Sequence, residues 1–223
     1  MTGPYAVCQD VYLVGDSDLS DAYDCCVYLL DAGDLVLIDS GAGRSFDRIV
    51  SNIRTLGFDP AKITTILATH AHIDHIGSLH RFREEYGARI AAHELDAAAI
   101  EDGKGTAAEA YGVAYTPCRV DLKLHGSGET LSFARRDFHV VHIPGHTPGS
   151  VAAYVDVGDT RVLFGQDIHG PYLPHWGADP AQARESLRKL IDLKADVLCE
   201  GHFGIYEPAV DVERYIRGYL LSL

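Results

Sequence analysis

Three histidines and an aspartate are concentrated in six residues of this chain, in the stretch HAHIDH at residues 70 to 75, which directly follows an apolar run. Histidines this close would repel one another when protonated and would bury unpaired donors when neutral. A bound divalent cation removes both costs, because neutral imidazole and carboxylate groups are common metal ligands. The stretch therefore predicts a metal site.

Three later residues occur in a similar context. His146 lies in GHTPGS, Asp167 in GQD and His202 in GHF, and each follows an apolar strand and a glycine-containing corner. The histidine cluster itself begins where a predicted buried strand, Ile63 to Ala68, ends. Loops that leave the ends of strands are the usual place for a binding site. We expect these loops to meet at one site.

The five cysteines indicate neither a thiolate metal site nor a disulfide framework. Their number is odd, no CxxC pair occurs, and Cys25 and Cys26 are adjacent. This suits neither a disulfide framework nor a thiolate zinc site. We expect buried, reduced thiols, and metal ligands that are nitrogen and oxygen atoms.

The charge of the chain limits its partners. A formal net charge of −13 over 223 residues disfavours nucleic acid and anionic lipid. No apolar stretch approaches the roughly 20 residues that a membrane span needs, and no signal-peptide pattern is visible. We predict a cytoplasmic protein with a small-molecule substrate and without nucleic-acid or membrane partners. A homodimer is left open.

The pattern of elements predicts the fold class. Antiparallel strands open the chain, with a hairpin turn at residues 31 to 34, and helices are predicted over residues 44–56, 76–86, 93–110 and 180–190 and from residue 210. The two halves are each rich in strands and each carry helices. We predict an α/β (α+β) fold, a four-layer αββα sandwich of two mixed sheets flanked by helices, as a single domain over residues 1–223.

Five motifs in this order resemble the metallo-β-lactamase superfamily: LIDSGAG around Asp39, THAHIDHIG at residues 69–77, then GHTPGS, GQD and GHF. The resemblance covers essentially the whole αββα sandwich. It implies two zinc ions per chain, with iron or manganese as alternatives. The implied ligands are His70, His72 and His146 for one ion, Asp74, His75 and His202 for the other, and Asp167 as the bridge. Asp39 would support the ligand loop without being a ligand.

The resemblance also implies a reaction. We expect a dinuclear metal hydrolase that cleaves a small ester, lactone or thioester by attack of a metal-bridging hydroxide, with Asp74 as proton acceptor. Lactonases of the superfamily place a tyrosine shortly after the bridging aspartate. Tyr172 has that spacing, and His169 is the competing donor, so both are predicted catalytic residues. His175 and Trp176 form one candidate wall of a substrate cleft. Residues 94–115, with Tyr111 and Tyr115, form another, although helix packing is the favoured role of that stretch.

The superfamily also contains proteins with other functions. Glyoxalase II uses basic residues for the glutathione carboxylates, and none is evident after GQD, so a glutathione thioesterase is not expected. RNA-processing nucleases need a basic surface that the charge of this chain opposes. A mononuclear iron persulfide dioxygenase would use His70, His146 and Asp167 alone. A non-catalytic metal-binding scaffold is the remaining alternative, although every ligand position is filled.

Overall fold

Two mixed β-sheets form the centre of the molecule. The computed structural model describes residues 3–223, with only the backbone of His175. The first sheet has the order β1-β2-β3-β4-β5-β6-β7 and the second β13-β12-β11-β10-β9-β8. The strands of the first sheet are β1 (Tyr5–Cys8), β2 (Val11–Gly15), β3 (Val27–Asp31), β4 (Leu35–Ile38), β5 (Ile63–Leu67), β6 (Arg89–His93) and β7 (Leu122–Leu124). Those of the second are β8 (Gly128–Ser132), β9 (Asp137–His142), β10 (Val151–Val157), β11 (Thr160–Gly165), β12 (Val197–Glu200) and β13 (Ile205–Tyr206).

Helices connect the strands and cover the outer faces of the sheets. They are α1 (Phe46–Thr55), α2 (Ile73–Ile76), α3 (Leu79–Tyr86), α4 (Glu94–Asp102), α5 (Ala108–Tyr111), α6 (Pro180–Asp192) and α7 (Ala209–Ser222). Short 3-10 helices occur at Pro60–Lys62 and Pro174–Trp176. Helix α6 begins as the sequence predicts, because the Asp179 side chain accepts hydrogen bonds from the backbone N–H groups of Ala181 and Gln182, and Pro180 is its first residue.

Three apolar clusters define four layers. The central cluster lies between the sheets and includes Tyr28 and Leu30 from the first and Val155 and Phe164 from the second. A second cluster buries α1, α3 and α4 against the outer face of the first sheet. A third buries α6 and α7 against the outer face of the second sheet. The predicted αββα sandwich of two mixed sheets is therefore confirmed.

Some element boundaries differ from the prediction. The helix predicted over residues 93–110 is interrupted after Asp102, because Gly103, Gly105 and Ala107 have left-handed backbone conformations. The helix predicted over residues 76–86 begins only at Leu79, as α3, and residues Ile73–Ile76 form the separate short helix α2. Strands β1 and β13 were not predicted, since each is short and lies at the edge of its sheet.

The cysteines agree with a further expectation. All five cysteines are free, and all except Cys8 are buried. Within residues 3–223, no helix has both the length and the apolar character that crossing a bilayer requires.

Candidate metal centre

The predicted ligand loops meet at one edge of the sandwich, where strands of both sheets end. The backbone N–H of Val151 donates to the carbonyl of Thr69 at 2.8 Å, and that of Cys26 donates to the carbonyl of Gly201 at 2.6 Å. These bonds join the loops of one sheet to strands or loops of the other. They bring together seven side chains from distant parts of the chain, His70, His72, Asp74, His75, His146, Asp167 and His202.

Four atoms converge in the first donor set. Nδ1 of His72 lies 3.1 Å from Nε2 of His70 and 2.8 Å from Nε2 of His146. Oδ2 of Asp167 lies 3.3 Å from Nε2 of His146 and 3.7 Å from Nε2 of His70. Four ligands in a tetrahedron at about 2.0–2.1 Å from zinc are separated from one another by about 3.3 Å. The spacing of this set fits such an ion.

The second donor set uses the other oxygen of the same aspartate. Oδ1 of Asp167 lies 3.3 Å from Nε2 of both His75 and His202. Oδ2 of Asp74 lies 3.3 Å from Nε2 of His202 and 3.6 Å from Nε2 of His75. These distances also match the tetrahedral spacing of about 3.3 Å. Asp167 is thus placed between two sets of four donor atoms.

The protonation of the first set suits metal ligation. Burial lowers the pKa of His70 well below its usual range, and burial together with His146 lowers the pKa of His72 to about 4. Burial likewise lowers the pKa of His146. Neutral imidazole is the form that binds a cation. These three side chains therefore offer lone pairs at neutral pH.

The carboxylates of the second set attract positive charge. Burial opposes a proton on His202, but the carboxylates of Asp167 and Asp74 raise its pKa to about 10. Burial also opposes a proton on His75, and Cys25 with the surrounding carboxylates raises its pKa well above the usual range. Nε2 of His75 and Oδ1 of Asp167 are buried without a hydrogen-bond partner among the described residues. A cation would neutralise these carboxylates and coordinate these atoms.

Asp39 holds the imidazole of His75. Its Oδ2 lies 2.7 Å from Nδ1 of His75 and accepts hydrogen bonds from Gln166 Nε2 and Thr69 Oγ1, both at 2.8 Å. Its Oδ1 accepts from the Thr69 backbone N–H. A carboxylate at Nδ1 fixes the proton there and directs Nε2 to the donor set. Asp39 is therefore placed behind the ligands, as predicted.

A second buried carboxylate, Asp96, connects two ligand loops. Its Oδ2 accepts from the Ala71 N–H at 2.9 Å and the Thr147 hydroxyl at 2.7 Å, and its Oδ1 accepts from the Gly149 N–H at 2.7 Å. Burial raises the pKa of Asp96, while these donors act in the opposite direction. No sequence pattern marks Asp96, because it lies in a helical stretch far from any ligand motif.

Backbone conformation and glycine allow the close packing at Asp167. Asp167 has φ of 49° and Asp39 has φ of 61°, a left-handed region that aspartate tolerates better than most residues. Gly201 passes so close to Asp167 that a Cβ there would lie 2.5 Å from Oδ1. Gly201, directly before His202, thus permits an approach that a larger residue would block.

A cleft of about 380 Å³ opens directly over both donor sets. Its described walls include the aromatic rings of Tyr111, Trp176 and Phe203. The Trp176 ring centroid lies 5.3 Å from that of His72. Of the candidate wall residues, Tyr111 and Trp176 line the cleft. Tyr115 is not among its described lining residues and its hydroxyl donates to the Ile100 carbonyl, and the side chain of His175 lies outside the described part of the chain.

Of the predicted catalytic residues outside the donor sets, His169 lines the cleft and Tyr172 is not among the described residues that line it. His169 lines the cleft, and its Nδ1 lies 2.7 Å from Oε1 of fully buried Glu200. Oε2 of Glu200 accepts the backbone N–H groups of His202 and Phe203, so Glu200 holds both the imidazole and the last ligand loop. The Tyr172 hydroxyl instead donates to the Ile168 carbonyl at 2.6 Å, and Tyr172 is not among the described residues that line the cleft.

Comparisons with known proteins agree with this geometry. The sequence profile of the metallo-β-lactamase superfamily matches residues 21–202. A Drosophila melanogaster protein, beta-lactamase-like protein 2 homolog, is 31% identical over 85% of this chain and 62% of its own length. The Haemophilus influenzae hydroxyacylglutathione hydrolase GloC is 27% identical over 65% of this chain and 66% of its own. The chain thus spans less than two thirds of the length of these two relatives.

Solved structures share the architecture. A Cronobacter sakazakii metallo-β-lactamase with a HARLDQ motif superposes with a TM-score of 0.84 at 21% identity, covering 99% of this chain and 92% of that one. Identity at this level supports the fold alone, while the profile match extends over the ligand loops from Asp39 to His202. The chain belongs to the metallo-β-lactamase superfamily.

Proposed function

We propose that this protein is a dinuclear zinc hydrolase that cleaves a small ester, lactone or thioester. The observation that carries the proposal is the position of Asp167, whose two oxygens each lie 3.3–3.7 Å from the nitrogens of a different set of histidines. A carboxylate shared in this way is the usual bridge between two divalent cations. Nitrogen and oxygen donors at tetrahedral spacing favour zinc, and iron or manganese are the alternatives.

A bound pair of cations would lower the pKa of a water molecule and polarise a substrate carbonyl, which is the chemistry that hydrolysis of an ester, lactone or thioester requires. The protein supplies the orientation of the side chains at the site. Asp39 and Glu200 fix the rings of His75 and His169 from behind. Oδ1 of Asp74 has no hydrogen-bond partner among the described residues, which supports a role for Asp74 as proton acceptor.

The cleft supports a small, uncharged substrate. A volume of about 380 Å³ falls in the range of small-molecule sites. No lysine or arginine occurs among the described residues that line it, and aromatic rings form its walls. Two relatives are named hydroxyacylglutathione hydrolases. A glutathione thioester carries two carboxylates that this lining would leave unpaired. We therefore favour neutral esters and lactones over a glutathione thioester as substrates.

The test combines metal content with a substrate panel. The protein is purified without added metal, its zinc, iron and manganese are measured, and hydrolysis of a neutral ester, a neutral lactone, a neutral thioester and a glutathione thioester is assayed. Two zinc ions per chain with turnover of at least one neutral substrate supports the proposal. One iron per chain with oxygen uptake would instead indicate the dioxygenase alternative, and bound metal without turnover would indicate a scaffold.

A further inference from the structure

A phenol hydroxyl lies beside the second donor set. The hydroxyl of Tyr111 donates to Oδ2 of Asp74 at 3.2 Å. The same oxygen lies 3.3 Å from Nε2 of His202, so it belongs to the donor set itself. Tyr111 also lines the cleft. Its hydroxyl is therefore one hydrogen bond from a proposed ligand and faces the space that a substrate would occupy.

The segment that carries Tyr111 is fixed on several sides. The Ile73 backbone N–H donates to the carbonyl of buried Thr106 at 2.8 Å, which ties the start of the segment to the ligand helix α2. Arg44 donates to the carbonyl of Gly112 at 3.1 Å, directly after Tyr111. The Tyr111 ring also meets the edge of Tyr23, with centroids 5.8 Å apart. The hydroxyl is thus held in place before any substrate binds.

Other tyrosine hydroxyls near the site are differently engaged. Tyr172 donates to the Ile168 carbonyl at 2.6 Å, and Tyr115 donates to the Ile100 carbonyl at 2.9 Å. Both acceptors are backbone carbonyls within the protein. The acceptor of Tyr111 is a side chain at the floor of the cleft, and rotation about its C–O bond can redirect its proton to a substrate oxygen without movement of the ring.

We propose that Tyr111 is a catalytic residue, whose hydroxyl donates a hydrogen bond to the substrate oxygen that gains negative charge when the carbonyl is attacked. The phenol keeps its proton throughout, so the step forms and breaks no covalent bond at Tyr111. A fixed donor aimed at developing charge stabilises the transition state more than the ground state. The inference rests on the proposed hydrolase function.

The decisive variant is Tyr111→Phe, which keeps the ring and its contact with Tyr23 and removes only the hydroxyl. Tyr115→Phe is the matched control from the same stretch of chain. On zinc-loaded protein and a neutral ester that the wild type hydrolyses, we expect Tyr111→Phe to lower kcat roughly 100-fold, as loss of an oxyanion donor does elsewhere. KM and zinc per chain should stay unchanged, and Tyr115→Phe should alter kcat less than about 3-fold.

A binding measurement separates this inference from the proposed function. Methylphosphonate is a tetrahedral anion, and its affinity for the zinc-loaded protein can be measured by calorimetry without any turnover. We expect Tyr111→Phe to weaken this affinity roughly 10-fold, the usual effect of a lost hydrogen bond to a charged group. If the wild type hydrolyses nothing but this weakening occurs, the proposed function and the catalytic role of Tyr111 both fail, and its hydroxyl remains only a donor to a bound tetrahedral anion. If the wild type is active and this weakening is absent, the proposed function stands and the role of Tyr111 fails.

Three results would overturn the inference. One is unchanged kcat and unchanged methylphosphonate affinity in Tyr111→Phe while the wild type is active. Another is a loss of zinc in proportion to the loss of rate, which would make Tyr111 a support for Asp74 alone. The third is the absence of any methylphosphonate binding to the zinc-loaded wild type.

Discussion

Replacement of Asp96 by asparagine tests whether a buried carboxylate outside the ligand set holds the site together. Asp96 accepts hydrogen bonds on both oxygens, from the N–H groups of Ala71 and Gly149 and from the Thr147 hydroxyl. Asparagine has the same shape but replaces one oxygen by an amino group. In one orientation that group faces the Gly149 N–H, and in the other it faces the Ala71 N–H. Either way, one buried backbone donor loses its acceptor.

The magnitude follows from that lost acceptor. Leaving one buried donor unsatisfied costs about 1–3 kcal/mol. Burial raises the pKa of Asp96, so removal of its charge relieves a desolvation cost and adds nothing to the loss. For a chain of this size a change of 2 kcal/mol lowers Tm by about 6 °C. Ala71 lies between His70 and His72, so we also expect zinc affinity to fall about 10- to 100-fold.

Thermal unfolding of the metal-free and zinc-loaded protein, with a chelator competition for zinc affinity, measures both effects. Asp102→Asn is the matched control, since Asp102 is exposed near the end of the same helix and its change should stay within about 0.5 kcal/mol. If the free energy of unfolding of Asp96→Asn lies within about 0.5 kcal/mol of the wild-type value and zinc binds equally well, Asp96 does not hold the two ligand loops together.

Three further substitutions address the ligands and their supports. Asp167→Ala removes one donor from each set, and His72→Ala removes one from the first. Both substitutions should abolish turnover and lower the number of zinc ions per chain in elemental analysis. A variant with the metal content and rate of the wild type would show the ligand assignment to be wrong. Asp39→Asn should lower zinc affinity about 10- to 100-fold in chelator competition while the fold is retained, because His75 loses its charged partner. Gly201→Ala should reduce zinc binding, because its Cβ would lie 2.5 Å from Asp167 Oδ1. Gly218→Ala has open space in helix α7 and should instead raise the free energy of unfolding by about 0.5–1 kcal/mol; equal zinc affinity in the two alanine variants would contradict the packing argument.

The sequence predicted the layers and the ligand cluster for physical reasons. Strong apolar periodicity marks α1 and α6, and long apolar runs mark the central strands such as β10, so the four layers follow from burial alone. The ligands carry their signal in side-chain type and local spacing, as in HAHIDH. Such patterns remain visible without knowledge of the fold.

The supports of the site carry no comparable signal. Asp96 lies in a helix and Glu200 in a strand, and each acts through contacts formed only by tertiary structure. The sequence marks Tyr111 only as a candidate cleft wall, and its hydrogen bond to Asp74 likewise depends on tertiary structure. Tyr172 was predicted from its spacing after Asp167, yet its hydroxyl is bonded to the Ile168 carbonyl. Its catalytic role stays a prediction that Tyr172→Phe can test beside Tyr111→Phe.

The central claim is that two sets of donors, joined by Asp167, bind two cations. Anomalous diffraction at the zinc edge from zinc-soaked crystals tests it most directly. We expect two peaks roughly 3.5–4 Å apart. One should lie among His70, His72 and His146, and the other among Asp74, His75 and His202, with the Asp167 carboxylate between them. No peak at these side chains, or zinc bound only elsewhere on the protein, would contradict it.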